Sequence, residues 1–398
     1  MSKMEVQYIN IRHMLEERVK ESKDDVYVSF YERDVSFGEF NRDVNRLANG
    51  FLKMGVKKGD IVYVYMNNSP EFLVATLAAQ KIGAVAGPIN TWLNGEEIKY
   101  QLNDSKGKVI VVDSEFIPTM KEMKGGLTDL EEIIEFGEQE KVGNISYKEL
   151  LKANPSELKE VKLNKDDLSF IFYTAGTTGK PKGALLTHWN VVFEVAGLKE
   201  SLSLEGEDKK EVVALIFLPL FHVNAMMCMM FGIYQGIKTA LLKKFSVREF
   251  GPTIEKHKCT YFSAVPKVYK ILIEAKDTVK KYDLSSLKFG ICGAAPMPVE
   301  TIKQFEKLFG VEILEGYGLT EGTVASTLHR RGEKKKIGSI GPALPGQEVK
   351  IFDQEDKELP VGEIGEIVVR GDNVMVGYHG LEEENKKTLK GGWLHTGD

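Results

Sequence analysis

The chain has little cysteine and no long hydrophobic run free of polar residues. Its three cysteines, Cys228, Cys259 and Cys292, match neither a disulfide framework nor a zinc motif by their spacing. The most apolar stretch, residues 212–234, contains a proline, a histidine and an asparagine that are costly in lipid. We therefore interpret it as a buried strand followed by a core helix, and expect no transmembrane segment. The first 25 residues are rich in charge and lack the apolar core of a secretory signal, so we expect a cytoplasmic protein.

Neither positive nor negative charge dominates the composition. The chain carries 53 Lys and Arg residues against 58 Asp and Glu residues, a net charge of -5. This balance gives no basic footprint for nucleic acid, which is therefore not an expected partner. The seven histidines are scattered without metal-ligand spacing, and most of them are expected to be solvated or satisfied. The length of 398 residues predicts a globular protein of two or three domains or subdomains, and leaves the oligomeric state open.

What the chain does have is a loop rich in glycine, threonine and lysine. Residues 173–183 hold three glycines, three threonines and two lysines. Glycine lets backbone N–H groups turn toward an anion, threonine adds hydroxyl donors and lysine adds charge, so this composition favours binding of polyphosphate. The loop is not a P-loop, because no Lys-Ser or Lys-Thr pair follows a G-x-x-x-x-G frame. An ordinary surface turn is the alternative interpretation.

Alternating helix and strand patterns predict the fold class. Ser36 and Glu39 form a capping-box pattern, and Ser69-Pro70 predicts the start of a second helix. Residues 61–66 form a continuous apolar run, which is typical of a strand covered on both faces. The loop lies between two strand patterns, at a strand end where open α/β sheets bind ligands. Other strand patterns lie at residues 109–112, 168–172, 184–186, 212–218, 260–264, 287–292 and 311–314.

We predict an α/β protein with two doubly wound, mostly parallel sheets and flanking helices. After residue 337 the pattern changes to short β segments joined by Gly/Pro turns, which predicts a small antiparallel β-barrel. The predicted subdomains are residues 1–190, which include the phosphate loop, residues 191–329 and residues 330–398.

Three further motifs follow predicted strands or end the chain. Residues 293–296 (Gly-Ala-Ala-Pro) are small enough for a flat ring to approach the backbone. Residues 316–321 (Gly-Tyr-Gly-Leu-Thr-Glu) offer an aromatic face, a hydroxyl and a carboxylate. Residues 392–398 (Gly-Trp-Leu-His-Thr-Gly-Asp) end in a carboxylate suited to a diol. Each motif alone is equally typical of a turn, but together with the loop they supply contacts for phosphate, magnesium, base and ribose.

These four motifs, in this order, resemble those of the adenylate-forming superfamily. This superfamily includes acyl-CoA synthetases, beetle luciferases and the adenylation domains of peptide synthetases, and the resemblance covers essentially the whole chain. It implies that ATP and Mg²⁺ bind here, with Glu321 holding the metal, Thr320 reaching the α-phosphate and Asp398 binding the ribose. It implies contacts to the β- and γ-phosphates from Thr174, Thr177, Thr178 and Lys182. The resemblance also implies that five residues lie at the nucleotide base: Gly293, Ala294, Ala295, Tyr317 and Gly318.

The family reaction has two steps. A carboxylate attacks the α-phosphorus of ATP, which releases pyrophosphate and leaves an acyl-adenylate, and a thiol such as coenzyme A then attacks the acyl carbon. No covalent enzyme intermediate is required, so catalysis is mainly positioning and charge stabilisation. The resemblance assigns this work to four residues, Thr174, Thr320, Glu321 and His222.

His222 lies in a segment, residues 218–225, that resembles the border of the carboxylate pocket in acyl and aryl ligases. A satisfied core histidine is the alternative interpretation. Relatives that activate amino acids carry an aspartate in this segment, and this chain does not, which favours a fatty or aromatic acid. The methionines at positions 226, 227, 229 and 230 either line an adaptable apolar tunnel or pack in the core.

One departure from the family is that relatives continue past the ribose-binding aspartate into a smaller domain with a catalytic lysine. The present sequence ends at Asp398. We therefore expect it to bind ATP and acid but to show little adenylation and essentially no transfer to coenzyme A on its own. Transfer to a carrier-protein thiol and a non-catalytic nucleotide-binding module are the alternatives.

Overall fold

The computed structural model describes residues 4–137, 145–174, 179–204 and 208–398. Its strands are β1 (Val26–Phe30), β2 (Arg33–Ser36), β3 (Ile61–Tyr65), β4 (Val85–Pro88), β5 (Val109–Asp113), β6 (Glu132–Phe136), β7 (Ile145–Ser146), β8 (Leu168–Thr174), β9 (Lys182–Thr187), β10 (Val213–Ile216), β11 (Lys238–Leu241), β12 (Tyr261–Ala264), β13 (Phe289–Cys292), β14 (Glu312–Tyr317), β15 (Thr327–Leu328), β16 (Glu348–Phe352), β17 (Glu366–Arg370), β18 (Gly377–Tyr378) and β19 (Leu394–His395).

The helices begin where the sequence supplies capping groups. The predicted capping box at Ser36 and Glu39 is confirmed, and Ser69 caps the helix that begins at Pro70. The α-helices are α1 (Ile11–Ser22), α2 (Phe37–Lys53), α3 (Pro70–Lys81), α4 (Gly95–Asp104), α5 (Ile117–Met123), α6 (Tyr147–Ala153), α7 (His188–Leu202), α8 (Val223–Gln235), α9 (Val247–His257), α10 (Pro266–Glu274), α11 (Lys276–Val279), α12 (Val299–Phe309) and α13 (Glu382–Thr388).

Two eight-stranded sheets enclose a shared layer of helices. The first sheet has the order β18-β9-β8-β4-β3-β5-β6-β7, and the second has the order β15-β14-β13-β12-β10-β11-β1-β2. Alternate residues of each sheet face opposite sides: Val62 and Val64 join one core with Ala214 and Ile216, whereas Tyr63 packs into another. Helices α1, α2, α3, α7 and α8 contact one another and contribute to the shared core. This arrangement confirms the predicted fold class.

The small antiparallel unit after residue 337 consists of strands β16, β17 and β19. The division into three subdomains stays a prediction. Strands β1 and β2 pair within the second sheet, and β18 pairs with β9 in the first, so each sheet includes strands from beyond the proposed boundary at residue 190. The segment that carries β18 therefore lies close to the described end of the phosphate loop at Gly183.

The apolar stretch at residues 212–234 forms β10 and α8, as predicted. Both elements are buried in the shared core or in the core on the other face of the second sheet. Across the described ranges, no helix combines the length and the apolar character that crossing a membrane requires.

His188 is expected to make the stability of the protein pH-dependent. It is fully buried, its Nδ1 accepts a hydrogen bond from the Ile11 N–H at 3.4 Å, and its Nε2 has no partner among the residues described. Burial lowers its pKa to about 4, so the unfolded chain, in which histidine titrates near 6.5, takes up a proton first as pH falls. We expect unfolding to become easier by about 2 kcal/mol between roughly pH 6.5 and pH 5.

Chemical denaturation at the two pH values measures this effect. The variant His188→Gln should lose this part of the pH dependence, because it removes the group that titrates differently in the two states. An unchanged pH dependence in the variant would contradict the assignment.

Candidate active site

The Glu321 carboxylate is the centre of a buried hydrogen-bonded cluster. It lies in a single helical turn after β14 and is 9% exposed. Its Oε1 accepts hydrogen bonds from the Thr174 hydroxyl at 3.1 Å and from the Tyr378 hydroxyl at 2.8 Å. Burial, followed by the negative charge of Glu321, raises the pKa of Tyr378, so this hydroxyl stays a donor. The other carboxylate oxygen of Glu321, Oε2, accepts no hydrogen bond from any residue in the described ranges.

The turn that carries Glu321 is fixed by a neighbouring segment. Thr323 has φ +68°, which is unusual for a β-branched residue, and its hydroxyl donates to the Asn373 carbonyl at 2.5 Å. The Asn373 amide donates to the Gly322 carbonyl at 3.0 Å, and the Met375 N–H donates to the Glu321 carbonyl at 2.8 Å. Strained backbone held by several bonds is typical of functional sites.

Close backbone approach explains the glycines of this motif. A Cβ atom at Gly318 would lie 2.0 Å from the Val324 carbonyl oxygen, and one at Gly316 would lie 2.8 Å from the Thr327 carbonyl oxygen. Strand β14 runs to Tyr317, beyond the end that the sequence predicts at Leu314, because β15 pairs with its last residues. The motif is therefore partly strand.

Tyr317 and Asp398 meet although they are far apart in sequence. The Tyr317 hydroxyl donates to Asp398 Oδ2 at 2.6 Å. Burial, followed by this hydrogen bond to a carboxylate, raises the pKa of Tyr317. The hydroxyl thereby fixes the carboxylate beside the aromatic ring, as a group that binds a ribose next to a stacked base would require.

The two described ends of the phosphate loop lie side by side. Strands β8 and β9 are antiparallel, with Thr174 opposite Lys182. Thr177 and Thr178 lie outside the described residues. The Lys182 ammonium forms an ion pair with Glu384 on α13 and lies 5.1 Å from the centre of the Tyr378 ring. This pairing lowers the pKa of Glu384.

A cavity of roughly 470 Å³ lies beside these groups. Its wall includes the strand-end residues Gly293, Ala294, Tyr317, Gly318 and Thr320, whereas Ala295 is exposed and lies outside it. None of its lining residues, all within the described ranges, is Asp, Glu, Lys or Arg. Much of the remaining wall is apolar and comes from α7, α8 and the second sheet, with Leu198, Leu202, Met227, Phe231, Ile291 and Leu328 among its residues.

His222 lines this cavity at the start of α8. Its ring lies 4.5 Å from the Phe221 ring and 5.9 Å from the Trp92 ring, measured between centroids. Its side chain is exposed to the cavity rather than packed in the core, and the surrounding protein lowers its pKa by desolvation, which favours the neutral imidazole. Trp92 lines the same cavity and is 73% exposed.

This geometry agrees with the comparison of the chain with known proteins. The family model described as AMP-binding enzyme matches residues 15–379. The chain belongs to the AMP-binding enzyme family. Two curated relatives are 4-coumarate–CoA ligase CCL1 of Humulus lupulus, 33% identical over 92% of this chain and 68% of the relative, and long-chain-fatty-acid–CoA ligase of Bacillus subtilis, 32% identical over 94% and 71%.

Solved structures of AMP-binding enzymes share this fold. The anthranilate CoA ligase AuaEII in complex with anthranoyl-AMP superposes with a TM-score of 0.90, at 28% identity over 98% of this chain and 75% of that chain. The inhibitor-bound N-terminal domain of FACL13 from Mycobacterium tuberculosis has the same TM-score and identity, over 98% of this chain and 96% of that chain. The chain thus corresponds to an N-terminal domain of the family.

Several side chains of this candidate site carry no sequence signal of their own. Tyr378 lies between Gly377 and His379, Glu384 lies in an acidic run and Asn373 lies in a loop. Each side chain reaches the site only through the pairing of β18 with β9 or through the contacts of the 371–375 segment. Trp92 precedes α4 and has no motif around it. Thr174, Glu321, Tyr317 and Asp398 were all predicted from motifs, and the structure brings them together in two hydrogen-bonded pairs.

Proposed function

We propose that this chain binds Mg·ATP and a carboxylic acid and joins them as an acyl-adenylate with release of pyrophosphate. In the whole enzyme the thiol of coenzyme A then accepts the acyl group. One observation carries this proposal: Glu321, a carboxylate with an oxygen that no described residue engages, directly follows Thr320, and Thr320 lines a cavity with no Asp, Glu, Lys or Arg among its described lining residues. Two hydrogen-bonded pairs, Thr174–Glu321 and Tyr317–Asp398, offer contacts for phosphate and for ribose.

The residues of the site fit magnesium. In the described part of the chain no group of three or more His, Cys, Asp or Glu side chains forms a metal cage, and Glu321 is the carboxylate that we assign to the metal. Mg²⁺ is usually held by one or two carboxylates together with substrate phosphates, which matches this arrangement. When bound, the ion neutralises negative charge on the phosphates. Glu321 would hold it through Oε2, while Thr174 and Tyr378 fix the carboxylate through Oε1.

The remaining work falls to groups that orient the reactants. The Thr320 hydroxyl borders the cavity beside Glu321 and would donate to the α-phosphate as negative charge develops during attack. Tyr317 would stack on the adenine and hold Asp398 against the ribose. His222, which lines the same cavity and is kept neutral by desolvation, would border the acid carboxylate. The chain supplies no nucleophile, because the acid itself attacks phosphorus.

The cavity favours a fatty or aromatic acid. Its volume of roughly 470 Å³ lies within the usual range for small-molecule sites, about 300–1,000 Å³. None of its lining residues in the described ranges is a carboxylate that could meet an ammonium group, so an amino acid would lack a counter-charge among them.

Acid-dependent exchange of pyrophosphate into ATP tests the proposal. The chain spans about two thirds of the length of its curated relatives, so the assay should be run with a carboxy-terminal domain of a relative supplied. We expect exchange with fatty or aromatic acids, and formation of a thioester when coenzyme A is added. If the acyl group passes to a carrier-protein thiol and not to coenzyme A, the second step is transfer to the carrier protein. Binding of ATP without exchange for any acid in a broad panel would contradict the proposal.

Lys182 provides a test of the phosphate loop. Replacing it by Ala should weaken ATP binding roughly 10-fold, because a charge-assisted hydrogen bond to phosphate is lost. The matched control is Lys180→Ala, which removes an exposed lysine of the same loop and should have a smaller effect. Glu384→Gln releases Lys182 from its ion pair and should leave ATP affinity unchanged or raised. Calorimetric titration with ATP measures all three. A Lys182→Ala variant that loses thermal stability but keeps its ATP affinity would show that the lysine only anchors α13.

A further inference from the structure

The carboxylate of Glu366 on β17 binds the short segment that leads from β19 to Asp398. Its Oε1 accepts a hydrogen bond from the Gly397 N–H at 2.8 Å, and its Oε2 lies 2.9 Å from Nδ1 of His395. An ionised carboxylate accepts hydrogen bonds but donates none, so the His395 Nδ1–H donates to Glu366. One side chain therefore holds this segment at two points shortly before Asp398.

The backbone turns at Gly397, directly before the carboxylate that is predicted to bind the ribose. Gly397 has φ +76°, a left-handed conformation that residues with a side chain rarely adopt. Glu366 binds the N–H of this same residue and so fixes the turn. Beyond the turn, the Asp398 side chain accepts a hydrogen bond from the Tyr317 hydroxyl. Asp398 is therefore fixed through its backbone by the turn and through its side chain by Tyr317.

Backbone contacts hold the same segment against β17 independently of the Glu366 side chain. Strand β19 is two residues long and pairs with β17 up to His395. Beyond it, the Thr396 hydroxyl donates to the Ile367 carbonyl at 2.7 Å, and the Ile367 N–H donates to the Asp398 carbonyl at 3.1 Å. These contacts do not involve the carboxylate, so its loss should loosen the turn without releasing the segment from the sheet.

We propose that Glu366 is a positioning residue for nucleotide binding. It orders the segment from His395 to Asp398 in advance, so that the Asp398 carboxylate meets the ribose hydroxyls without losing conformational freedom at that moment. Ordering a loose segment during binding costs free energy and lowers the affinity. Glu366 itself touches no ligand in this role. The inference rests on the proposed function, because it takes Asp398 to bind the ribose.

Calorimetric titration of the full chain with two nucleotides tests the inference. The nucleotides are Mg·ATP and the Mg complex of dideoxy-ATP, which lacks both ribose hydroxyls. The unaltered chain should bind ATP roughly 10-fold more tightly, because the dideoxy nucleotide cannot donate to Asp398. Glu366→Ala should weaken ATP binding roughly 10-fold and leave binding of dideoxy-ATP unchanged, so that the preference for ATP disappears.

Two further variants separate positioning from a general effect on the fold. Glu366→Gln keeps an amide oxygen for the Gly397 N–H, and its amide N–H can donate to Nδ1 of the other tautomer of His395, so the preference for ATP should be retained. His395→Phe keeps a ring beside Phe352 but loses the donor to Glu366, and should reduce the preference roughly 3-fold.

Glu348→Ala is the matched control. Glu348 lies on β16 in the same three-stranded sheet and forms an ion pair with Arg370 at 2.7 Å. Its side chain is 35% exposed, against 32% for Glu366, but it does not contact the segment before Asp398. The preference for ATP should therefore be the same as in the unaltered chain.

The outcomes distinguish this inference from the proposed function. If Glu366→Ala weakens both nucleotides equally, or if it and His395→Phe keep the full preference for ATP, the inference is overturned and the proposed function stands. Equal binding of both nucleotides by the unaltered chain would overturn the inference together with the assignment of Asp398 to the ribose, and acid-dependent pyrophosphate exchange would still decide on adenylation. Failure of the folded chain to bind either nucleotide would overturn the proposed function as well.

Discussion

Replacing Glu321 by Gln is expected to weaken binding of Mg·ATP roughly 100-fold, because a partly buried carboxylate loses its charge toward the metal. The variant keeps an amide oxygen in the place of Oε1, so the hydrogen bonds from Thr174 and Tyr378 can persist and the turn after β14 stays in place. We therefore expect little change in thermal stability. Titrations with ATP in the presence and absence of Mg²⁺ measure the effect, and the loss should be confined to the magnesium-dependent part.

Glu315→Gln is the matched control for this variant. Glu315 lies on β14, the strand that precedes the turn of Glu321, accepts a hydrogen bond from the Gly338 N–H at 2.9 Å and is not part of the cavity lining. Its substitution should leave the affinity for Mg·ATP unchanged. If Glu321→Gln binds Mg·ATP as tightly as the unaltered chain, the carboxylate does not hold the metal and serves only to fix Thr174 and Tyr378.

Gly318→Ala is expected to lower nucleotide affinity at least roughly 100-fold and to reduce the melting temperature. The new Cβ would lie 2.0 Å from the Val324 carbonyl oxygen and 2.7 Å from the Ala325 Cα, so the backbone itself must move. Both partners are backbone atoms, and no side-chain rotation relieves the contact. The displaced segment carries Thr320 and Glu321, and the loss of two contacts to charged groups, at about 1.5 kcal/mol each, corresponds to roughly 100-fold in affinity.

Gly125→Ala is the control for this variant, because no atom lies within 4 Å of the Cβ position at Gly125. It should leave both the melting temperature and the nucleotide affinity close to those of the unaltered chain. Thermal denaturation and calorimetric titration of the two variants give the comparison. Normal nucleotide binding by Gly318→Ala would mean that the 318–325 segment does not position the phosphate-binding groups.

Local patterns along the chain predicted much of the fold. Capping signals at Ser36 and Ser69 marked helix starts, and continuous apolar runs such as residues 61–66 marked strands buried on both faces. These signals depend on neighbours in sequence, so they can be interpreted without knowledge of the tertiary structure. The assignment of strands to sheets could not be predicted in this way, because it depends on contacts between distant segments. Strands β1 and β2 lie in the second sheet because β1 pairs with β11.

The same distinction applies to the site. Thr174, Tyr317, Glu321 and Asp398 stand in motifs whose composition already indicates phosphate, base, metal and ribose. Tyr378 and Glu384 complete the cluster around Glu321 and Lys182, but they reach it through the pairing of β18 with β9, which nothing in their own sequence indicates.

A crystal structure of the chain with an acyl-sulfamoyl adenosine tests the central claim most directly. We predict that the adenine lies against Tyr317 beside Gly293 and Ala294, with the ribose hydroxyls on Asp398 and the sulfamoyl group near Thr320. The acyl tail should enter the cavity past His222. A ligand bound elsewhere, or one whose tail leaves the cavity empty, would contradict the account of this cleft as an acid-activating site.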